Sequence, residues 1–205
     1  MKSTSLKSAG MAVIGALARA RLAILTVGLT YAVSVGIGMV MVHTGNPMAL
    51  ASRDEIVSQA QASPILLAFK RNDRWQAALL DSWGNLVGAV STTLGGLGVI
   101  TSFPIIAYRG WIGGIVSINS AHVSRLADPP EAVYYLTTLV WQVIPYTLSG
   151  GAGVNLGLAL FRPPAHYQGD KWWGIPKEAI RDALRIYLLV VPLFLLASVW
   201  EFFLR

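Results

Sequence analysis

From Leu22 to Val42 the chain runs for twenty-one residues without a charge, and longer uncharged windows follow it. Crossing the hydrocarbon core of a bilayer takes about 20 predominantly apolar residues in a helix. A chain built from such windows folds in lipid, where a helix satisfies its own backbone donors and acceptors. Composition agrees: charged residues are 13% of the chain, about half the roughly 25% of a soluble domain. Hydrophobic residues make up 54%, and the mean hydropathy is +0.56. A disordered tail and a water-soluble enzyme are excluded. Cysteine is absent, which removes disulfides, thiolate metal sites, iron–sulfur clusters and cysteine nucleophiles.

The windows predict an all-α, polytopic transmembrane bundle of about five spans: 22–42, 83–108, 110–125, 132–161 and 186–204. The whole chain, 1–205, then forms a single membrane domain. The first window is preceded by Lys2, Lys7, Arg19 and Arg21 and is too long for the core of a secretory signal, so it reads as an uncleaved anchor. The third is short and carries Asn119 and His122, so a re-entrant segment is the alternative there. Cations collect on the cytoplasmic side of membrane proteins. With a cytoplasmic N-terminus, five spans place ten of the sixteen Lys and Arg inside, Arg109 and the group from Arg162 to Arg185 among them. The net charge of +6 therefore reports orientation in a cell membrane, N-terminus in and C-terminus out, and not a nucleic-acid partner.

The outer connection, 43–82, contains Ser52-Arg53-Asp54-Glu55, a capping-box pattern that predicts a helix start at Ser52. Its later part, from Pro64 to Trp83, mixes Leu66, Leu67, Phe69, Trp75, Leu79 and Leu80 with Lys70, Arg71, Asp73 and Arg74, as a helix lying in the interface would. The inner connection, 162–185, holds Tyr167, Trp172 and Trp173, rings suited to headgroup depth. After Pro176, a residue suited to a helix's first turn, an amphipathic segment leads into the last span. Ala179, Ile180, Ala183, Leu184 and Tyr187 share its apolar face, opposite Lys177, Glu178, Arg181, Asp182 and Arg185.

Small residues recur at four-residue spacing: Gly28, Ala32, Gly36; Gly84, Gly88, Thr92, Gly96; Gly113, Ser117, Ala121; and Ser149, Gly153, Gly157. Each set forms one helical stripe along which neighbouring backbones can approach closely. The stripes predict internal packing, and Gly84, Gly88, Gly96, Gly113, Gly153 and Gly157 are the candidates for helix packing or partner docking. Pro104, Pro145 and Pro192 fall inside predicted spans and are candidate helix breaks; in transporters such breaks form ligand sites, and elsewhere they are only kinks. Intramembrane charge is scarce. Arg109 is expected at a boundary, and Glu201 near the end of the last span, four residues before a potential partner, Arg205.

No His-Glu-x-x-His, Gly-x-Ser-x-Gly, Walker lysine loop or Gly-x-Gly-x-x-Gly at a strand-to-helix turn occurs, and no paired acids lie in the windows. The expectation is a chain that is not an enzyme, without cofactor or metal.

From Trp75 to the C-terminus the order of features resembles the stage II sporulation protein M family. Asn72-Asp73-Arg74-Trp75-Gln76-Ala77-Ala78-Leu79-Leu80 leads into Gly84, Gly88 and Leu94, and Arg109-Gly110 precedes Gly113-Gly114. The last part is similar too, with Lys177-Glu178-Ala179-Ile180-Arg181-Asp182-Ala183-Leu184, then Pro192-Leu193-Phe194-Leu195-Leu196-Ala197, then Glu201. One stretch departs: where the family has Pro-His-Gly followed by Glu, this chain has Pro145-Tyr146-Thr147-Leu148-Ser149-Gly150. A role resting on that His and Glu is not carried over. For spore formers the resemblance implies a membrane scaffold that anchors cell-wall-remodelling enzymes. The residues and the resemblance together lead to a non-enzymatic subunit that docks other integral membrane subunits in the lipid bilayer. The alternative is a small permease or channel component with its site at the proline and glycine breaks.

Overall fold

The computed structural model describes residues 2–167 and 169–204, with side chains from residue 8 onward. The expected Glu201–Arg205 pair and the side chains of Lys2 and Lys7 lie outside the described residues. Among the described residues there are seven α-helices: α1 (Lys2–His43), α2 (Pro47–Gln61), α3 (Pro64–Lys70), α4 (Arg74–Gly95), α5 (Ser102–Ile115), α6 (Pro129–Phe161) and α7 (Lys177–Phe203). A two-residue pair of strands, β1 (Lys171–Trp172) and β2 (Ile175–Pro176), precedes α7. Among the described residues three helices are long and apolar enough to cross a bilayer: α1 over Ser8–His43, α6 and α7. These contain the first, fourth and fifth expected spans. In α6, 61% of the most apolar stretch is buried, against 28% in α1 and 33% in α7, so α6 is the central helix.

The expected second span, 83–108, is two helices. α4 stops at Gly95, a 3-10 turn occupies Gly96–Gly98, Val99 adopts φ 57°, and α5 departs from Ser102. Counting charges does not reveal this reversal, because Gly95-Gly96-Leu97-Gly98 is as uncharged as the helices beside it. Side chains replace the lost backbone partners: Ser102 donates from Oγ to the Thr92 carbonyl at 2.9 Å, and Thr101 donates to that of Gly95. The expected third span, 110–125, is helical only to Ile115. Beyond it, Ile118 bridges Ser124 and the Asn119 side chain accepts from the amides of Ala121 and Val123, which folds the segment into a compact loop.

The ends of the helices explain other departures. α1 closes with Gly45 at φ 73°, its amide on the Val42 carbonyl and the Asn46 amide on that of Met41, a Schellman arrangement. Asn46 then accepts from the Ala49 amide and Pro47 occupies the first turn, so α2 starts five residues before Ser52. The capping-box pattern is thus mid-helix. The interfacial helix expected over Pro64–Trp83 is divided at Asn72, φ 62°, where Asp73 caps α4 at the Gln76 amide. Pro104 lies in the first turn of α5, where its missing N–H costs nothing. Pro145 and Pro192 lie within α6 and α7, which continue through them. None of the three separates helices; the break lies at Gly96–Thr101.

α5 runs alongside α1, with Gly110 against Tyr31 and Gly114 against Val35 and Gly38. α4 runs antiparallel to it, so α4 and α5 form a hairpin that opens toward the α1 C-terminus. Phe202 and Phe203 at the end of α7 meet Phe69 and Trp75 at the same end of the bundle.

Candidate functional site

Asp182 is the most deeply buried carboxylate among the described residues, with 0% of the residue exposed. It sits one and a half turns into α7, where α1 and α6 converge on it. Arg19 of α1 grips it with two bonds, Nε to Oδ2 at 2.6 Å and Nη2 to Oδ1 at 2.7 Å. Arg185 adds a third at 2.8 Å, and the Tyr167 hydroxyl a fourth at 2.9 Å. Asn155 of α6 donates to that hydroxyl at 2.8 Å. Burial pushes the Tyr167 phenol up to about 12, which keeps it a donor. Glu178 takes the other side of Arg185. One acid thus fastens α1, α7 and the connection before α7 through charge-assisted bonds, and α6 is joined to it through the Asn155–Tyr167 bond. The amphipathic pattern put Asp182 on the charged face of a surface helix; the unsatisfied demand of Arg19, facing it across the bundle, draws it inward.

Farther along the bundle, Arg109, expected at a boundary, lies midway along α5 and engages α6. Its Nη1 donates to the Tyr146 hydroxyl at 2.7 Å, and its guanidinium carbon lies 4.4 Å from the centre of that ring. Tyr146 donates to Asn85 at 2.8 Å, Asn85 donates to Asp81 at 3.0 Å, and Ser198 donates to Asp81 at 2.7 Å. The relay joins α5, α6, α4 and α7, with a cation at one end and an acid, held by Ser198, next to the other. Gly88 makes room for it: a Cβ there would collide with the Arg109 guanidinium and lie 3.1 Å from the Tyr146 hydroxyl. The signal in the sequence was the pair Asp81 and Asn85, four residues apart, at the mouth of an uncharged window.

The glycine stripes are used mainly inside the chain. A Cβ on Gly96 would lie 2.5 Å from the Gly153 Cα, one on Gly153 2.7 Å from the Thr93 Cα, and one on Gly157 2.9 Å from the Leu97 carbonyl oxygen. Gly113 faces Leu139. α4, its turn and α6 are therefore in backbone-to-backbone contact. Gly84 and Gly36 have open space instead. Glu201 accepts at its backbone carbonyl from Tyr134 of α6 at 3.1 Å.

At the opposite end of the bundle Asp54 meets Arg53 at 2.9 Å and His122 at 3.0 Å, joining α2 to the loop after α5. These contacts, that with His122 first, hold its carboxyl below the usual range. No group of three His, Asp or Glu able to hold a metal ion occurs among the described residues.

The feature order that carried the resemblance is thus set in a helical bundle, and the sequence model for stage II sporulation protein M matches residues 27–204. The chain belongs to the stage II sporulation protein M family. Membership covers α6, where the Pro-His-Gly pattern is replaced, and Tyr146 is the residue that holds Arg109 there. In this stage II sporulation protein M family member Arg109 of α5 and Asp81 of α4 are linked to α6 through Tyr146 and Asn85. No curated protein and no solved structure matches the chain.

Proposed function

We propose that this stage II sporulation protein M family member is a non-enzymatic scaffold of a cell membrane, docking a larger complex of integral membrane proteins through the outer face of α4. The observation that carries this is the face itself. Leu79, Trp83, Val87, Val90 and Leu94 are exposed along the whole helix, beside Gly84 with its open space. At 22 residues α4 is about 33 Å long, enough for a bilayer core. A small residue between large apolar ones suits close approach of a partner helix. Asp182 and Arg109, deeper in the bundle, are each engaged with side chains of neighbouring helices, which fits a rigid support. By family resemblance the partners include cell-wall-remodelling machinery.

In this reading the α4–α5 hairpin sits in the bilayer between the crossing of α1 and those of α6 and α7, and the N-terminus is cytoplasmic. The orientation does not depend on how deep the hairpin reaches, because it enters and leaves on the same side. With α1, α6 and α7 as the only full crossings, the cations divide nine inside to six outside, Arg109 remaining in the hairpin.

The test is purification in a gentle detergent followed by mass spectrometry of what accompanies the chain. Stoichiometric larger membrane subunits, lost on Gly84→Leu, are expected. A lone homo-oligomer that conducts ions in liposomes would refute the scaffold and favour a channel component. Cysteines placed at Glu55 and Asp170 are expected to label from opposite sides of the membrane; labelling from one side would overturn the orientation.

A further inference from the structure

The lipid-facing surface of α7 changes character along its length. Leu184, Leu188, Val191 and Leu195 are exposed on one stripe, and the same stripe, continued toward the N-terminus, carries Arg181 and Lys177. Leu184–Phe203 is twenty residues, about 30 Å of helix, which matches the hydrocarbon thickness. Arg181 and Lys177 then stand about 5 and 10 Å beyond it, at headgroup depth. Alongside them β1 and β2 form a two-residue hairpin, with Trp173 at φ 49° and Gly174 at φ 82°, as a primed turn requires. The hairpin holds Trp172 over the start of α7. Trp172, Lys177, Ile180 and Arg181 enclose an open cavity of about 170 Å³.

We propose that this cavity binds the headgroup of one anionic phospholipid, its phosphate between Lys177 and Arg181, its glycerol region against Trp172 and its acyl chains along Leu184 and Leu188. The acids nearby leave these cations available. Lys177 meets Asp170 at 3.0 Å, but both are well exposed. Glu178 is 3.4 Å from Arg181 and is held chiefly by Arg185. Lys171, beside Trp172, has no ion pair among the described residues and adds positive potential. A zwitterionic headgroup would bring its own cation against this cluster, so discrimination follows from charge. The site does not depend on the scaffold reading or on the direction of insertion.

The test uses the full chain, purified in detergent, titrated with phosphatidylglycerol or phosphatidylcholine and read by native mass spectrometry. Retention of a single phosphatidylglycerol is expected, with a preference of about thirtyfold, the effect of two cations at an anionic surface. Lys177→Gln with Arg181→Gln should erase the preference, Trp172→Ala should weaken retention without changing the charge, and Lys70→Gln with Arg71→Gln, at the other end, should leave both unaltered. Displacement of the lipid by excess inorganic phosphate would show a small-anion site and overturn the proposal. Equal retention of the two lipids, or an unchanged preference in the double variant, would overturn it as well. Co-purifying subunits are a separate readout, so failure here and failure of the scaffold reading are distinguishable.

Discussion

Gly153→Ala is the sharpest probe of the bundle. Its added Cβ would lie 2.7 Å from the Thr93 Cα and 2.9 Å from the Thr93 carbonyl carbon. Ordinary contact begins near 3.4 Å, and the Thr93 carbonyl oxygen lies closer still, so α4 and α6 must part by roughly 0.7–1 Å. Neither neighbour is a flexible side-chain tip, and the strain passes to the Thr93 hydroxyl, which donates to the Ser149 carbonyl at 2.8 Å. Overpacking of this kind costs about 1–3 kcal/mol. Alanine recovers about 1 kcal/mol of helix propensity. Because the clash is with backbone, the upper half of the overpacking range applies and the net loss is roughly 1–2 kcal/mol; a chain of this length loses about 2–4 °C per kcal/mol, so Tm should fall by roughly 2–8 °C. The matched control is Gly84→Ala, which meets nothing within 4 Å and should be neutral or slightly stabilising. The assay is thermal unfolding of both variants in one detergent, followed by tryptophan fluorescence and by recovery on gel filtration. If Gly153→Ala unfolds at or above the temperature of Gly84→Ala, the backbone contact between α4 and α6 is wrong.

Three further outcomes follow from the polar networks. Asp182→Ala should destabilise by about 3 kcal/mol, the low end for a broken buried pair because the Arg19 side chain is 31% exposed; chemical denaturation in mixed micelles measures it, and Asp182→Asn should lose less. Tyr146→Phe removes the hydroxyl between Arg109 and Asn85 and should cost about 1–3 kcal/mol in the same assay, while leaving the ring under the guanidinium. Asp54 has a depressed folded pKa, so its contribution is present above the unfolded carboxylate value and disappears as pH falls through the folded one. The Tm advantage of wild type over Asp54→Asn should accordingly be full at neutral pH and shrink below about pH 4; an advantage that persists unchanged to pH 2 would exclude the contact with His122 and Arg53 as its source.

The long apolar helices were legible because lipid imposes one simple demand, a run of uncharged residues, and Leu22 to Val42 or Ala132 to Phe161 meet it without ambiguity. Reversals inside such runs were not, since Gly95 to Thr101 and the helices around it look alike when only charge is counted. Local signals competed at α2, where the pair Asn46 and Pro47 outweighed Ser52 and Glu55. Both polar networks depend on residues far apart in sequence, Arg19 with Asp182 and Arg109 with Tyr146, and no periodicity within one helix points across to another. The spacing of Gly96, Gly153 and Gly157 located close approach, while the partner of each glycine came only from the bundle.

The relay from Arg109 to Ser198 also sets an order of assembly. Asp81 and Arg109 belong to the α4–α5 hairpin, yet Tyr146 and Ser198, which engage them, lie on helices made later. While the chain emerges from the ribosome, the hairpin carries a cation whose partner Tyr146 does not yet exist and an acid bonded only to Asn85 of its own helix, and poorly paired charges are costly in hydrocarbon. α1 can insert at once, whereas the hairpin settles only after α6 and α7 have arrived. A truncation before α6 should therefore leave one stable crossing and a hairpin at the membrane surface.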